Sequence, residues 1–297
     1  MAQTVRPFSW DDVRLLAALE AGSTLTESAP PAGSVERMRR WLAQPGMHPE
    51  RDCFIALDGA APSGYTYLVT EQPIGRGVLT GRAAPPGRQA LLDAALSQAR
   101  SAGLMVVDVD VDESDTERQA FLTSAGFTLV RTHVHLRRDD TRKVGAPVPE
   151  GATLRLAEPG DVPGLTALQN AAFTGSWGYS PNTPDEIAYR VFELPDDPPD
   201  HVLLLEQGGT LAAYCWTHRE HADAPGVVGM VGVVPDQQSR GLGHAVTAAG
   251  LDHLIDVGAT PVDVTVDSEN APALRVYERL GFTPRWRSNW YELAVSG

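Results

Sequence analysis

Residues Gln238, Ser239, Arg240, Gly241, Leu242, Gly243 and His244 combine what is needed to hold a diphosphate. They lie in "VGVVPDQQSRGLGHAV", where an apolar run from Val231 gives way to a polar loop and then to a second, periodic apolar run. That order reads as strand, loop and helix start. The first backbone amides of a helix have no intrahelical acceptor and carry the positive end of its dipole. Arg240 adds a cation, and Gly241 and Gly243 remove side chains that would keep an anion off the backbone. Two nucleotide-binding patterns fit poorly. The dinucleotide fingerprint turns directly off its strand, whereas "PDQQSR" intervenes here, and its third glycine position is Val246. Asp263, about 20 residues on, leaves a nicotinamide-dependent oxidoreductase as a distant reading. A P-loop is excluded because no Gly-Lys-Ser/Thr follows.

The elements around this loop follow from periodicity. Leu242, Val246, Gly250, Leu254 and Val257 share one face of the expected helix. "VDVTVD" alternates as a strand, with Val262, Val264 and Val266 on one side. Asn270 caps the next helix, Pro272 sits in its first turn and Gly281 ends it. Ala273, Tyr277 and Leu280 follow core spacing along it.

The chain repeats itself. At an offset of 149, Thr4, Arg6, Asp12, Val13, Leu16 and Leu19 meet Thr153, Arg155, Asp161, Val162, Leu165 and Leu168. At an offset of 155, "VVDVDVDESDTERQAFLTSAGF" meets "PVDVTVDSENAPALRVYERLGF". A duplicated domain explains both, with helices starting at caps Asp12 and Asp161. The expected organisation is a first domain over 1–140, a linker over 141–151 and a second domain over 152–297. Each is α+β, a mixed and mostly antiparallel sheet flanked by helices.

Composition bounds the partners. With 38 acidic against 24 basic residues in 297, the net charge of −14 disfavours nucleic acid and anionic membranes and favours cationic small molecules. Cys53 and Cys215 form no disulfide framework and read as buried thiols, and no Cys/His spacing suggests a metal. "MAQTVRPFSWDD" is no signal peptide and no apolar run is long enough to span a membrane, so the expected location is the cytoplasm.

"VPDQQSRGLG" resembles the acetyl-coenzyme A loop of the GCN5-related N-acetyltransferases (GNAT), and "DSENAPALRVYERLGF" resembles that family's second motif. The two cover the last third of the chain. The tandem layout is similar to two-domain acetyltransferases of the mycothiol synthase type. The resemblance implies that Val231 and Val233 offer backbone groups to the pantetheine arm. It also implies that Gln238, Ser239, Arg240, Gly241, Leu242, Gly243 and His244 hold the pyrophosphate, and that Asn270 bonds the pantetheine. Tyr277 would act as general acid toward the departing thiolate. The implied activity is transfer of an acetyl group from acetyl-coenzyme A to a primary amine of a small molecule, without a metal. Mycothiol synthesis, or a non-catalytic acyl-coenzyme A sensor, are the alternatives. Two halves packed as family dimers pack predict a monomer.

The first half departs from this pattern. Gly241, Gly243, Asn270 and Tyr277 meet Pro86, Arg88, Asp115 and Leu122 there, which predicts no acetyl-coenzyme A site in that half. Where mycothiol synthases carry a basic Glu, this chain has Val227. Glu220, with His218, His221 and Asp223 near it, is the candidate base. Trp177 and Tyr179 in "GSWGYSP" are candidates for the acceptor pocket, with Glu193, Asp196, Asp197 and Asp200 close by in sequence.

Overall fold

Arg6 and Arg155 stand at matching points of the repeat, and each forms a two-armed ion pair with the aspartate six residues on. Arg6 reaches Asp12 at 2.7 and 2.6 Å, and Arg155 reaches Asp161 at 2.6 and 2.7 Å. Paired forks of this kind fix geometry as well as charge. The guanidinium hydrogen bonds hold both carboxyls below the usual carboxylate range. Neither aspartate caps its α-helix with its side chain, contrary to expectation. Each instead closes a 3-10 turn, Trp10–Asp12 or Pro159–Asp161, and accepts the amide at that turn's start.

The computed structural model describes residues 3–21, 33–145, 148–193, 201–221 and 223–295. Two compact units result: Met1–Val130 with Asn289–Gly297, and Arg131–Ser288. The first unit holds β1 (Gln3–Pro7), α1 (Val13–Glu20), α2 (Ser34–Leu42), α3 (Pro49–Asp52), β2 (Cys53–Asp58) and β3 (Ala61–Glu71). It continues with β4 (Arg76–Thr80), α4 (Pro85–Ser101), β5 (Val106–Asp112), α5 (Thr116–Ser124) and the start of β6 (Thr128–Arg138). The second unit holds the rest of β6, β7 (Ala152–Leu156), α6 (Val162–Phe173), α7 (Pro184–Ala188), β8 (His201–Gln207) and β9 (Thr210–His218). There follow β10 (Gly226–Val233), α8 (Leu242–Asp256), β11 (Val262–Asp267), α9 (Ala271–Arg279) and β12 (Thr283–Ala294), whose last residues return to the first unit.

Strand order is β1-β2-β3-β4-β5-β12 in the first unit and β12-β6-β11-β10-β9-β8-β7 in the second. β4 with β5, and β10 with β11, are parallel; β11 with β6 and β10 with β9 are antiparallel. These are the mixed, helix-flanked sheets that the α+β expectation describes.

The units do not follow the expected limits at 140 and 152. β6 pairs with β11 from Arg138↔Val262 to His133↔Asp267, and Asn289–Ala294 of β12 go to the first unit. Each half of the sequence therefore gives part of its last strand to the other unit. The alternation along a strand is the same whichever sheet it completes, so the repeat could not reveal the exchange. Part of the expected linker is docked: Val144 and Gly145 donate their amides to Asp252 of α8 at 2.6 and 3.0 Å.

In the second unit α8 and α9 cover one face of the sheet. Val246, Leu251, Leu254, Tyr277 and Leu280 meet Val134, Leu136, Val264 and Val266 there. α6 and α7 cover part of the other face, through Leu165, Leu168, Ile187, Tyr214 and Trp216. Leu242, Val246, Gly250 and Leu254 are buried as expected; Val257 falls just past the end of α8 and is 41% exposed. Arg138 of β6 donates to the carbonyl of Leu280 at 2.9 Å and so ties down the end of α9, the helix that carries Tyr277.

Gly250 sets how closely α8 lies on the sheet, because a Cβ there would sit 2.4 Å from the sulfur of Cys215. Gly250→Ala is expected to cost about 1–3 kcal/mol of stability in denaturant titration despite its better helix propensity; an unchanged midpoint would contradict the close approach. Arg6→Met is expected to destabilise more at pH 7 than at pH 3. The depressed carboxyl of Asp12 contributes fully above its unfolded pKa of about 3.9 and loses that contribution as pH falls through the folded value. Equal losses at both pH values would contradict the pairing.

Candidate functional site

The site starts from a pairing that stops early. β10 and β11 are joined at Gly226↔Val262, Val227↔Asp263 and Val228↔Val264, and no further. β10 bulges between Val228 and Met230 and continues to Val233 against β9 alone. β11 continues to Asp267 against β6 alone. The facing edges from Gly229 to Val233 and from Thr265 to Asp267 are thus left without a strand partner. Backbone groups in that wedge need acceptors and donors from elsewhere, and an extended ligand arm can supply them. Val231 and Val233 lie on this open stretch, with side chains against the core under α8.

At the mouth of the wedge a 3-10 turn over Pro235–Gln237 leads to the start of α8. Ser239 and Gly241 both take positive φ, 62° and 83°, and Ser239 is the one non-glycine residue to do so among the described residues. This alternation turns successive amides toward a common point, a geometry suited to anions. Among the described residues, the amides of Ser239, Arg240, Gly241, Leu242, Gly243 and His244 have no acceptor; the first bond of α8 is Ala245 to the Gly241 carbonyl, at 3.0 Å. Gln238 reaches back to the Val233 carbonyl at 3.3 Å, and Arg240 leans on Gln237 at 3.0 Å while remaining exposed. A Cβ at Gly243 would meet Val233 at 3.5 Å, an ordinary contact, so packing within the chain does not require glycine there.

Asn270 caps α9, its side-chain oxygen accepting the amide of Ala273 at 3.1 Å; its amide nitrogen donates to no group among the described residues. Tyr277 is 7% exposed and lies edge-on to Phe282, with centroids 5.8 Å apart. Burial, with Cys215 nearby, pushes its phenol well up, so it keeps its proton through the neutral range. Its hydroxyl has no hydrogen-bond partner among the described residues. Burial also pushes the thiol of Cys215 up to about 12 and that of Cys53 higher, which removes both as nucleophiles.

The face opposite α8 and α9 carries the candidate acceptor residues Trp177 and Tyr179. The loop after α6 lays Trp177 edge-on to His133, at 6.2 Å, with Arg131 over its ring at 5.7 Å. A cation of the chain's own thus already occupies that aromatic face. Tyr179 is pinned by the α6–α7 connection. It stacks on Phe173, donates to Asn170 at 2.6 Å and accepts from Asn182 at 3.1 Å. Glu220 is exposed in the bend after β9. His218 lies nearer the bulge: a Cβ on Gly229 would touch its ring at 2.9 Å, and His218 is the cross-strand partner of Val227. Glu193 is exposed; Asp196, Asp197 and Asp200 lie outside the described residues.

Sequence reasoning missed the residues that β6 and β12 bring to this face. His135 sits between Thr265 and Ser288 and stacks on Trp286. The alternation of "THVHL" does place His133 and His135 opposite Val134 and Leu136. Their membership of the second unit depends on the strand exchange.

The matching place in the first unit is built differently. β4 and β5 stay paired from Arg76↔Val106 to Leu79↔Val109, nearly to the end of β4. α4 opens with Pro85 and Pro86, which have no amide hydrogen. Arg88 is held by Glu117 at 2.9 Å and the Ala83 carbonyl at 3.2 Å. Asp115 caps α5 as Asn270 caps α9. A cavity of about 390 Å³ lies here, lined among others by Thr80, Arg88, Val109 and Arg118, whose guanidinium pKa burial lowers. Among the described residues no group of three or more His, Cys, Asp or Glu is placed to hold a metal ion. Among the described residues no helix is long and apolar enough to cross a membrane.

A parallel strand pair that parts beside a helix start rich in unpaired amides is the arrangement of the acyl-coenzyme A transferases of the GNAT type. The chain belongs to the acetyltransferase (GNAT) family, whose model matches residues 163–282. It is 32% identical over 272 residues to the mycothiol acetyltransferase of Tsukamurella paurometabola, covering 85% of this chain and 87% of that protein. To the mycothiol acetyltransferase of Actinosynnema mirum it is 39% identical over 144 residues, which span 48% of each chain, about half the relative's length. Among solved structures, a tandem GNAT protein from the clavulanic acid biosynthesis pathway matches with a TM-score of 0.74 at 19% identity, over 100% of this chain and 99% of that one. That likeness is one of fold.

Gly243→Ala separates packing from ligand binding. The variant is expected to be as stable as the wild type, or more so by up to about 1 kcal/mol. Calorimetric titration with acetyl-coenzyme A should show affinity weakened by about tenfold or more, some 1.4 kcal/mol. Unchanged affinity would remove this helix start from the cofactor site.

Proposed function

We propose that the chain is an acetyl-coenzyme A-dependent N-acetyltransferase that acts on a primary amine of a small molecule. The observation that carries this reading is the wedge between β10 and β11, opening directly onto the unpaired amides of Ser239 to His244. Acetyl-coenzyme A supplies an acetyl group activated as a thioester, and the chain's residues do the rest. The amides from Gln238 to His244, with Arg240, bind the diphosphate. The free edge of β10 at Val231 and Val233 receives the pantetheine arm as an added strand, and the unused amide of Asn270 faces that arm. A β10 amide at the bulge faces the thioester oxygen, where negative charge develops as the amine attacks. Tyr277, kept protonated by burial, donates to the departing sulfur.

The net charge of −14 supports a cationic acceptor such as an amino sugar. Trp177 and Tyr179 wall the acceptor side in this reading. Glu220, exposed and in the bend after β9, is poorly supported as the base. The first half carries no acetyl-coenzyme A site in this reading, supported by Pro85 and Pro86 at the start of α4. A monomeric protein of the cytoplasm that requires no metal completes the proposal. A second reading, mycothiol acetyltransferase activity, draws on the names of the relatives; Val227, where a basic Glu is expected for that activity, counts against it.

Tyr277→Phe is expected to lower kcat by about 10²–10³-fold while leaving acetyl-coenzyme A affinity within about twofold, as thiol release and calorimetry would read. Unchanged turnover would point to a sensor or to another acid. The wild-type titration should give one site per chain; two would overturn the silent first half.

A further inference from the structure

The transfer proposed above leaves a proton unassigned. A primary amine is largely an ammonium ion at pH 7 and must lose a proton before its nitrogen can attack. On β10, where a carboxylate would serve, the chain has Val227. β6, which pairs with β11 on the side away from β10, offers an alternative.

Thr265 is the first residue of β11 beyond the last β10–β11 pair. Val264 and Val266 on either side of it point into the core under α8, so Thr265 points to the opposite face, where it is exposed. Its hydroxyl lies 2.9 Å from Nδ1 of His135, its cross-strand partner on β6. Nε2 of the same ring lies 3.0 Å from the hydroxyl of Ser288, which is buried. The ring is stacked on Trp286, centroids 3.3 Å apart and planes within 5°. An imidazole held at both nitrogens and stacked on a ring is oriented to exchange a proton through the exposed hydroxyl. Nearby charges are already paired. Arg137 holds Asp263 at 2.6 and 2.7 Å, and Arg131 holds Glu269 and lies 3.7 Å from Asp267. His133, two residues along β6, faces Trp177.

We infer that Thr265, His135 and Ser288 form a proton relay that deprotonates the acceptor amine, an inference that rests on the N-acetyltransferase reading. With the hydrogen of the neutral ring on Nε2 and donated to Ser288, Nδ1 accepts the Thr265 hydroxyl proton as that oxygen takes one from the ammonium. The products are a neutral amine and an imidazolium. The amine lone pair then forms the N–C bond and the C–S bond breaks. The proton shed by nitrogen as the amide forms goes to the departing sulfur by way of Tyr277, and His135 returns its own to solvent. His135 acts through Thr265 and positions it; Thr265 is the group that meets the substrate.

Two probe amines test this, 2-phenylethylamine, an ammonium ion at pH 7, and 2,2,2-trifluoroethylamine, mostly free base there and in no need of a relay. His135→Gln keeps hydrogen-bonding groups but cannot take up the proton. It is expected to lower kcat/KM for phenylethylamine by about 10²-fold or more and to flatten the acidic limb of its pH profile. Transfer to trifluoroethylamine should stay within about threefold, and acetyl-coenzyme A affinity should not change. Thr265→Val, at an exposed position, should reproduce the pattern. The relay is overturned if either variant keeps the wild-type profile, if both amines lose equally, or if His218→Gln alone removes the acidic limb. A wild-type chain that binds acetyl-coenzyme A yet acetylates neither amine overturns the proposed transfer itself, and the relay with it.

Discussion

Three residue pairs hold β10 to β11, and most of what the second unit can do follows from their ending at Val228 and Val264. Backbone amides and carbonyls buried without partners are costly, so a sheet that parts in its middle must be compensated. Here each strand keeps its outer neighbour, β9 for β10 and β6 for β11, and the bulge after Val228 absorbs the divergence. What is left open is a slot with hydrogen-bonding walls. A small amide-bearing arm fits such a slot better than an apolar group does.

The slot alone would not select a ligand. In the proposed function, selection comes from the start of α8, where Ser239 and Gly241 take positive φ and a run of amides has no acceptor among the described residues. The same helix is pressed onto the sheet at Gly250, so that its start is held against the mouth of the slot. α9 is tied at its far end by Arg138 and delivers Tyr277 from the same side. The first unit has nearly the same order of elements, with one more helix before β2, and among the described residues its strand pair and helix start are built differently. Its parallel strands stay paired almost to the end of β4, and its helix begins with two prolines. Duplication kept the scaffold, as the twin Arg–Asp pairs show, while the two helix starts diverged.

The opposite face depends on an exchange of strands. β6, from the first half of the sequence, brings Arg131, His133 and His135 alongside β11, and the start of β12 brings Trp286 and Ser288. A chain cut between the halves would therefore separate the start of α8 from several groups on the opposite face of the same unit. Trp177 lies against Arg131 and His133, both of which come from the first half of the sequence.

The residues by themselves determined the local elements of the proposed donor side. The Gly-x-Gly helix start, the Asn270 cap and the spacing to Tyr277 are local features, and local features survive in a linear string because neighbouring residues make them. The repeat, too, was legible, down to the arginine and aspartate that pair in both units. Only the tertiary structure decided where the last strand of each half belongs, how far β10 and β11 stay together, and which histidines lie alongside β11. Strand pairing joins residues more than a hundred positions apart, as His135 and Thr265 are, and a strand's alternation says which face a side chain takes but not which neighbour it finds. The helix starts could be read because their chemistry is written within seven residues; the proposed acceptor side could not, because the sheet brings its residues together.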